Sequence, residues 1–243
     1  MKTAINLFSV RELDEPMADI LDRVADAGYD GVQFSGGLRD ASPQAVTRKL
    51  ADRDLQVTAP HVGIDALEGS LEATVEQYGD AIGCDGAVVP ALAEDHFESA
   101  DAVDRMAERL TDLASELEMY DWRLHYHNHA FEFVELEDCT AFERLASTCE
   151  RLHLELDVGW VLAGGVSPPD LIERYGDRIE LLHMKDVRVA DETPVEIGSG
   201  DVDMQACADA ARHANIEWLI YEHDIPEDPA ESIETGASYL ASL

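Results

Sequence analysis

The sequence predicts a (β/α)8 barrel, an α/β fold in which eight parallel strands alternate with helices. Two observations lead to this fold class. The length of 243 residues is near the usual size of one such barrel, and eight short β-rich runs alternate with longer stretches of helical periodicity. No GxGxxG or GxxxxGK[ST] motif follows an early strand, so the nucleotide-binding open sheet has no support. We therefore predict a single barrel domain over residues 1–243.

The predicted strands are short and rich in apolar and β-branched residues. They cover residues 3–9, 31–35, 56–62, 86–90, 123–129, 152–158, 179–186 and 218–223. Between them, apolar residues recur three and four positions apart, as expected for helices that bury one face. Three helix starts are marked by a proline directly after a capping residue, in the pairs Ser42-Pro43, Ser167-Pro168 and Asp228-Pro229. Eight such units without a detached segment favour a closed barrel over an open sheet.

Acidic residues dominate the composition. There are 52 aspartates and glutamates against 17 lysines and arginines, which gives a formal net charge of −35. Molar salt shortens the Debye length to about 3 Å, against about 8 Å at physiological ionic strength, and so screens such self-repulsion far better. The charge therefore favours a salt-adapted, halophilic source with an acidic proteome. The same charge opposes nucleic-acid binding, because the sequence has no basic patch to displace counterions from phosphates.

The remaining bulk features favour a cytoplasmic protein. The four cysteines are scattered without a paired spacing, so we expect reduced thiols rather than a disulfide framework or a zinc knuckle. No apolar run approaches the length of a membrane span. The apolar N-terminal run meets Arg11 and Glu12 too early for a signal peptide. We expect a small-molecule partner and neither nucleic acid nor membrane, and the sequence leaves a homo-oligomer open.

Ionisable side chains gather at the carboxyl ends of the predicted strands, where the catalytic groups of barrel enzymes lie. The set comprises His61, His125, His127, His129, Glu132, His153, Glu155, Asp157, His183, Lys185, Asp186, Glu222, His223 and Asp224. Burying several carboxylates and imidazoles around one axis is costly unless they are paired or bind a cation. Asp157, His183 and Glu222 end three successive strands and therefore predict a divalent-metal site. For Glu155, the strand register leaves open whether the side chain faces the axis.

Five segments resemble the sugar phosphate isomerase/epimerase family, the xylose isomerase-like barrels that also include inosose dehydratases, tagatose/psicose 3-epimerases and endonuclease IV. They are residues 126–133 (YHNHAFEF), 155–160 (ELDVGW), 182–186 (LHMKD), 198–200 (GSG) and 221–224 (YEHD). The resemblance covers nearly the whole chain. Together the motifs are specific for the superfamily and weak for the substrate.

The resemblance implies one divalent metal ion. The family's epimerases hold it with Glu, Asp, His and Glu from strands 5 to 8, and the last three correspond to Asp157, His183 and Glu222. On strand 5, His127 stands where the glutamate usually lies, and Glu132 follows five residues later. Glu132 is the preferred fourth ligand and His127 the alternative. Oxygen and nitrogen ligands without thiolate suit Mn, Mg, Co or Zn.

The expected activity is metal-dependent isomerisation or epimerisation of a sugar or sugar phosphate. The enzyme would move a proton α to a carbonyl through a metal-stabilised enediolate. Glu132 and Glu222 would flank the substrate C–H, and Lys185 would be a third catalytic group. The predicted substrate-binding residues are His61, His127, His129, Trp160 and Lys185. Trp160 and Phe131 would either stack on a sugar face or serve as core aromatics, and Trp160 replaces a histidine of the epimerases.

Other functions use the same residues. A keto-inositol or keto-sugar dehydratase needs the same α-proton removal, followed by loss of a β-hydroxyl. An endonuclease IV-like nuclease needs more metal ligands and a basic face, which the charge opposes. A non-catalytic sugar-binding barrel is the alternative outside enzymes. The loop 198–200 (GSG) is either a backbone cradle for a substrate phosphate or a plain turn.

Overall fold

The computed structural model describes residues 1–243 and contains the eight parallel strands that the sequence predicts. The strands of this sheet are β1 (Lys2–Asn6), β2 (Gly31–Gln33), β3 (Gln56–Val57), β4 (Gly86–Val89), β5 (Arg123–His127), β6 (His153–Asp157), β7 (Ile179–Met184) and β10 (Trp218–Tyr221). A separate antiparallel hairpin is formed by β8 (Asp186–Arg188) and β9 (Thr193–Val195). The helices are α1 (Met17–Ala27), α2 (Pro43–Arg53), α3 (Ile64–Thr74), α4 (Ala100–Glu118), α5 (Ala141–Thr148), α6 (Val158–Ala163), α7 (Pro168–Tyr175), α8 (Met204–Ala214) and α9 (Pro229–Ser242).

The sheet closes on itself between β3 and β4. The strand order is β3-β2-β1-β10-β7-β6-β5-β4, so these two strands are the ends of the ladder. His61 forms single parallel bridges to Ser35 on one side and to Val88 on the other. The backbone N–H of Val62 donates to Val88 O at 2.9 Å, and the N–H of Val88 donates to Pro60 O at 2.9 Å. This closure confirms the predicted barrel.

Each strand is shorter in the structure than its predicted run, and three of the differences have a clear structural cause. Residues 3–9 divide into β1 and a 3-10 helix, Leu7–Val10, whose start is capped by Asn6. Residues 56–62 form a regular ladder only over β3, because Pro60 lacks an N–H group, and pairing resumes as the single bridge at His61. The strand predicted over residues 179–186 ends at Met184, and Asp186 is the first residue of the hairpin.

The predicted helix starts are present. The side chains of Ser42 and Asp228 accept hydrogen bonds from the first free N–H groups of α2 and α9, and Ser167 precedes the prolines that begin α7. Helix α1 is capped at its carboxyl end by Gly28, whose φ of 96° is a conformation that favours a residue without a Cβ. These caps fix where each helix turns back towards the sheet.

Alternate residues of the strands fill the barrel interior in layers. An apolar cluster comprises Ala4, Ala59, Val88, Leu181, Trp218 and Ile220. Two residues further along the corresponding strands, towards their carboxyl ends, lie buried polar side chains such as Asn6, His61, His183 and Glu222. A larger core of 63 buried residues includes the apolar faces of the helices. No helix combines the length and the apolar character that crossing a bilayer requires.

Candidate active site

Four donor groups converge at the carboxyl end of the barrel. They belong to His127 on β5, Asp157 on β6, His183 on β7 and Glu222 directly after β10. One ligand atom from each lies within 4.8 Å of those of the other three. All four residues are buried, with Asp157 and His183 completely so. The consecutive strands β5, β6, β7 and β10 are neighbours in the barrel, which is why residues far apart in sequence meet here.

A second set of contacts lies beneath this group and centres on Glu155. Its carboxylate is fully buried and accepts a hydrogen bond from Gln33 Nε2 at 2.5 Å. Its Oε2 lies 2.6 Å from His61 Nε2, 3.1 Å from His127 Nδ1 and 3.2 Å from His183 Nε2. Glu155 therefore orients the imidazoles of His127 and His183, two members of the group of four donors, through their ring nitrogens.

Sequence reasoning left Glu155, Gln33, Asn6 and Asn128 without roles. Gln33 joins Asn6 and Glu155, because its Oε1 accepts from Asn6 Nδ2 at 2.7 Å. Asn128 Oδ1 accepts from the backbone N–H of Asp157 at 2.9 Å and so holds the end of β6. Glu155 had a usable signal, since it lies two residues before Asp157 and thus on the same face of the strand. Asn6 and Gln33 had only their positions at strand ends.

Lys185 lies among the carboxylates at the top of the site. Its Nζ is 3.1 Å from Asp157 Oδ2, 2.9 Å from Glu222 Oε2 and 3.1 Å from Asp224 Oδ2. It also lies 5.0 Å from the centre of the Trp160 ring. The carboxylates outweigh the effect of burial and hold the pKa of Lys185 above its usual range. The ammonium group therefore stays charged and balances the acidic residues around it.

Glu132 is buried but lies outside the group of four donors. Its Oε1 accepts from the hydroxyl of Tyr126 at 2.5 Å, and its Oε2 accepts from the backbone N–H of His129 at 2.8 Å. One oxygen is thus held by β5 and the other by the loop that follows it, and His127 provides the strand-5 donor of the group. Burial raises the pKa of Glu132 to about 7, although these hydrogen bonds oppose the shift.

Aromatic side chains form one wall of the entrance. The His129 ring stacks on Phe131 at 5.5 Å and on Trp160 at 6.1 Å between ring centres. These three residues line an open cavity of about 610 Å³ that Glu94 and Glu192 border. Phe131 and Trp160 are therefore partly core residues and partly cavity wall, and His61 lies deeper, at Glu155.

The glycine loop 198–200 binds a carboxylate of the protein itself. Asp186 Oδ2 accepts from the backbone N–H of Gly198 at 2.9 Å and of Gly200 at 2.8 Å. Its Oδ1 accepts from the N–H of Val202 at 3.2 Å. These amides are already paired with a buried side chain, so the interpretation of the loop as a phosphate cradle is wrong.

Burial and neighbouring charges set the protonation of the imidazoles. Burial lowers the pKa of His127 to about 3, and burial together with the charge of Lys185 lowers that of His129 to about 4. Burial also acts on His183, but the carboxylates of Glu155 and Glu222 outweigh it and raise its pKa to about 10. Near neutral pH, His127 and His129 are thus neutral, while the carboxylates of Glu155 and Glu222 keep His183 protonated. A metal ion bound by His183 would displace one of its ring protons.

The donor set fits a divalent metal ion. Two imidazoles and two carboxylates without a thiolate match the ligand preferences of zinc, manganese or cobalt. Asp157 Oδ2 is buried and makes no hydrogen bond, and the Lys185 ammonium lies 3.1 Å from it as an ion pair, so this oxygen already faces positive charge. Asp157 Oδ1 accepts from the N–H of Trp160 at 2.9 Å, and this bond fixes the orientation of the carboxylate.

Comparison with known proteins gives the family. A family model described as a xylose isomerase-like TIM barrel matches residues 21–243. The chain belongs to this family. The match covers every strand that contributes a donor to the group of four, and the family's fold agrees with the closed barrel described above.

Curated relatives within the family are similar at low identity. An inosose dehydratase of Geobacillus kaustophilus (strain HTA426) is 28% identical in an alignment of length 195 that covers 70% of this chain and 61% of the relative. The rhizopine catabolism protein MocC of Rhizobium meliloti is 26% identical over 72% of this chain and 59% of its own length. The matched region thus spans about 60% of these two relatives. An inosose dehydratase of Lacticaseibacillus casei is 25% identical over 87% of this chain and 83% of its own.

Solved structures of the family share the fold. A sugar phosphate isomerase/epimerase from Parabacteroides distasonis ATCC 8503 superposes with a TM-score of 0.84 at 21% identity, covering 98% of this chain and 93% of that one. The IOLI protein with a binding zinc atom gives a TM-score of 0.81 at 18% identity, covering 100% of this chain and 97% of that one.

Proposed function

We propose that this chain is a metal-dependent enzyme that removes a proton α to the carbonyl of a small polyhydroxylated ketone. His127, Asp157, His183 and Glu222 would hold one divalent ion. The observation that carries the proposal is the convergence of these four buried donors at the carboxyl end of the barrel. When bound, a divalent ion would polarise the substrate carbonyl and stabilise the negative charge of the enediolate.

Glu132 is the proposed base. Its pKa of about 7 places it half-ionised near neutral pH, where a carboxylate can accept a proton from carbon and return it. The Tyr126 hydroxyl and the His129 backbone N–H hold its two oxygens in a fully buried position beside the site. His129 and Trp160 would contact the substrate from the cavity wall, and His61 would act on the site through Glu155.

We propose that the substrate carries no phosphate. Lys185 is the buried cation of the site, and three carboxylates already surround its Nζ within 3.1 Å. The amides of the glycine loop are paired with Asp186. A phosphate dianion would therefore meet acidic residues without a free cation or a free backbone cradle, whereas neutral hydroxyl groups would not be repelled.

Dehydration of a keto-inositol or keto-sugar is the reaction that we favour. It needs one base for the α-proton and one acid for the departing β-hydroxyl. Glu132, protonated by the first step, can return that proton to the departing hydroxyl, while Lys185 stays protonated and would stabilise the developing negative charge. Epimerisation needs a second carboxylate facing the substrate, and Glu222 Oε2 is instead bonded to His183 at 3.0 Å and Lys185 at 2.9 Å. The inosose dehydratases among the relatives support the same choice.

The test is to incubate the purified protein, supplied in turn with Mn²⁺, Mg²⁺, Co²⁺ or Zn²⁺, with a panel of keto-inositols and ketoses in D₂O. Mass spectrometry separates the reactions, because dehydration removes one molecule of water and isomerisation conserves composition. We expect water loss from a keto-inositol. Isotope exchange at the α-carbon without water loss would favour the isomerase, and no change with any metal would contradict the proposal.

The variant E222Q tests the proposed ligand set. We expect metal-dependent turnover to fall by at least about 10²-fold, because the amide removes a negative ligand and the partner of Lys185. E116Q is the matched control, since Glu116 is exposed on α4, and it should keep full activity. Circular dichroism confirms that both variants fold. Full activity in folded E222Q would refute the role of Glu222.

A further inference from the structure

A second cluster of metal-ligating side chains lies closer to the amino-terminal end of the barrel. It comprises His125 on β5, His153 on β6 and Glu180 on β7, and one ligand atom from each lies within 4.8 Å of the others. His125 Nε2 is 3.0 Å from Glu180 Oε2, and His153 Nδ1 is 3.3 Å from Glu180 Oε1. The two rings lie 5.4 Å apart, with their planes inclined by 49°. We name this cluster the lower site.

An irregularity in the sheet brings Glu180 into the lower site. Along β6 and β7, Leu154 is paired with Ile179, but the next residue, Glu155, is paired with Leu181. Glu180 is therefore the additional residue of a bulge between two regular parts of the ladder. Bulges re-aim single side chains, and here the carboxylate reaches the two histidines of the neighbouring strands.

Two buried ring nitrogens of the lower site make no hydrogen bond: His125 Nδ1 and His153 Nδ1. His153 Nδ1 still lies within ion-pair distance of Glu180 Oε1, whereas the structure gives His125 Nδ1 no polar neighbour. His125 is 2% exposed, so water does not satisfy it from the surface. Buried polar atoms are normally paired, and unsatisfied ones in a cluster of metal-ligand residues point to a missing cation. The side chains of His153 and Glu180 are each about one third exposed, which leaves an open side for an ion and its water.

One cation of the protein competes for this position. Arg123 Nη1 lies 3.2 Å from Glu180 Oε2 and 3.8 Å from Asp85 Oδ2. The Arg123 side chain is 51% exposed, so this is a solvent-screened pair of small energy. It interacts with Glu180 from outside and makes no contact with either imidazole in the hydrogen-bond network.

We propose that the lower site binds a second divalent cation, of the zinc or cobalt type, through His125, His153 and Glu180. Two imidazoles and one carboxylate are a ligand set that zinc uses, with water as a further ligand. The ion would join β5, β6 and β7 at the end of the barrel opposite to the proposed reaction, where residues of this fold serve stability. The proposal is independent of the proposed function.

The test counts bound ions in variants of each site. Protein freed of metal with a chelator is titrated calorimetrically with Zn²⁺, and bound zinc is measured after desalting; Co²⁺ provides an absorption spectrum of its ligand geometry. In the D157N background, which removes one of the four donors of the proposed active site, we expect the lower site to bind zinc. Adding E180Q should weaken that binding at least about tenfold and reduce the rise in melting temperature that the ion produces.

A third variant guards against misfolding. D157N/R123Q removes the competing guanidinium and should raise the affinity about two- to fivefold, a change that damaged protein would not produce. Weak binding of many ions to the acidic surface would be equal in D157N and D157N/E180Q. If D157N and D157N/E180Q bind zinc with the same affinity, or if D157N binds none, the lower site does not exist as proposed. This conclusion would hold whatever the outcome for the proposed active site.

Discussion

At the scale of single residues, Glu132 combines a proposed catalytic role with a cost in stability. Burial raises its pKa to about 7 from an unfolded value of 4.5. Because the native state binds this proton more tightly, the neutral carboxyl contributes stability that is complete below about pH 4.5 and is lost as the pH rises through 7. At pH 8 the ionised, buried carboxylate is therefore an unfavourable feature of the fold.

E132Q should accordingly be less active but more stable at alkaline pH. The glutamine oxygen can still accept from the His129 backbone, and its amide can donate to the Tyr126 hydroxyl. We expect a gain on the order of 1–3 kcal/mol in the free energy of unfolding at pH 8, shrinking towards zero near pH 5. Urea unfolding at both pH values measures it. A difference from the wild type that is the same at pH 5 and pH 8 would contradict this explanation.

The proximity of Asp157, His183 and Glu222 was predictable because each ends a strand and adjacent parallel strands end at one edge. The orientation of Glu132 was not, since it depends on a short loop and on the Tyr126 hydroxyl. Alternation places Glu155 on the same face of β6 as Asp157, but its contacts with Gln33 and His61 were hidden, because they join strands that are distant in sequence. Geometry inside the barrel follows from register, and a bulge such as that at Glu180 changes register without any marker in the sequence.

At the scale of elements, the loop after the β8–β9 hairpin depends on one carboxylate. The side chain of Asp186 accepts three loop amides, from Gly198, Gly200 and Val202. The sequence reads as one strand continuing into Asp186, so the hairpin and this interaction were not foreseen. Hydrogen bonds to a charged carboxylate are stronger than those between neutral groups, so three of them to one side chain fix this loop.

Removing that carboxylate should destabilise the fold. D186A leaves three amides without an acceptor, and we expect a loss of about 2–4 kcal/mol in the free energy of unfolding. G200A should also be destabilising, because an added Cβ would overlap the Asp186 carboxylate. S199A is the control, since Ser199 is exposed between the two glycines. Thermal unfolding of the three variants measures the order; equal melting temperatures for D186A and S199A would refute it.

At the scale of the whole molecule, the net charge of −35 predicts that stability depends on salt. Raising KCl from 0.1 M to 1 M shortens the Debye length from about 10 Å to about 3 Å and screens the repulsion among surface carboxylates. If this relieves about 3 kcal/mol, the melting temperature should rise by about 6–12 °C. Sucrose at the same osmolarity is the control. An equal rise in sucrose, or none in KCl, would remove the argument for salt adaptation.

His61 both closes the barrel between β3 and β4 and contacts the buried carboxylate of Glu155. The His61 backbone connects the strands on both sides, and its ring lies 2.6 Å from Glu155. Transient opening of this junction between β3 and β4 would admit water to Glu155 and would make the orientation of the imidazoles bonded to it less fixed. Closure of the barrel and the geometry of the buried site therefore depend on the same residue. A denaturant that opens this junction should abolish activity at a lower concentration than the one that unfolds the protein.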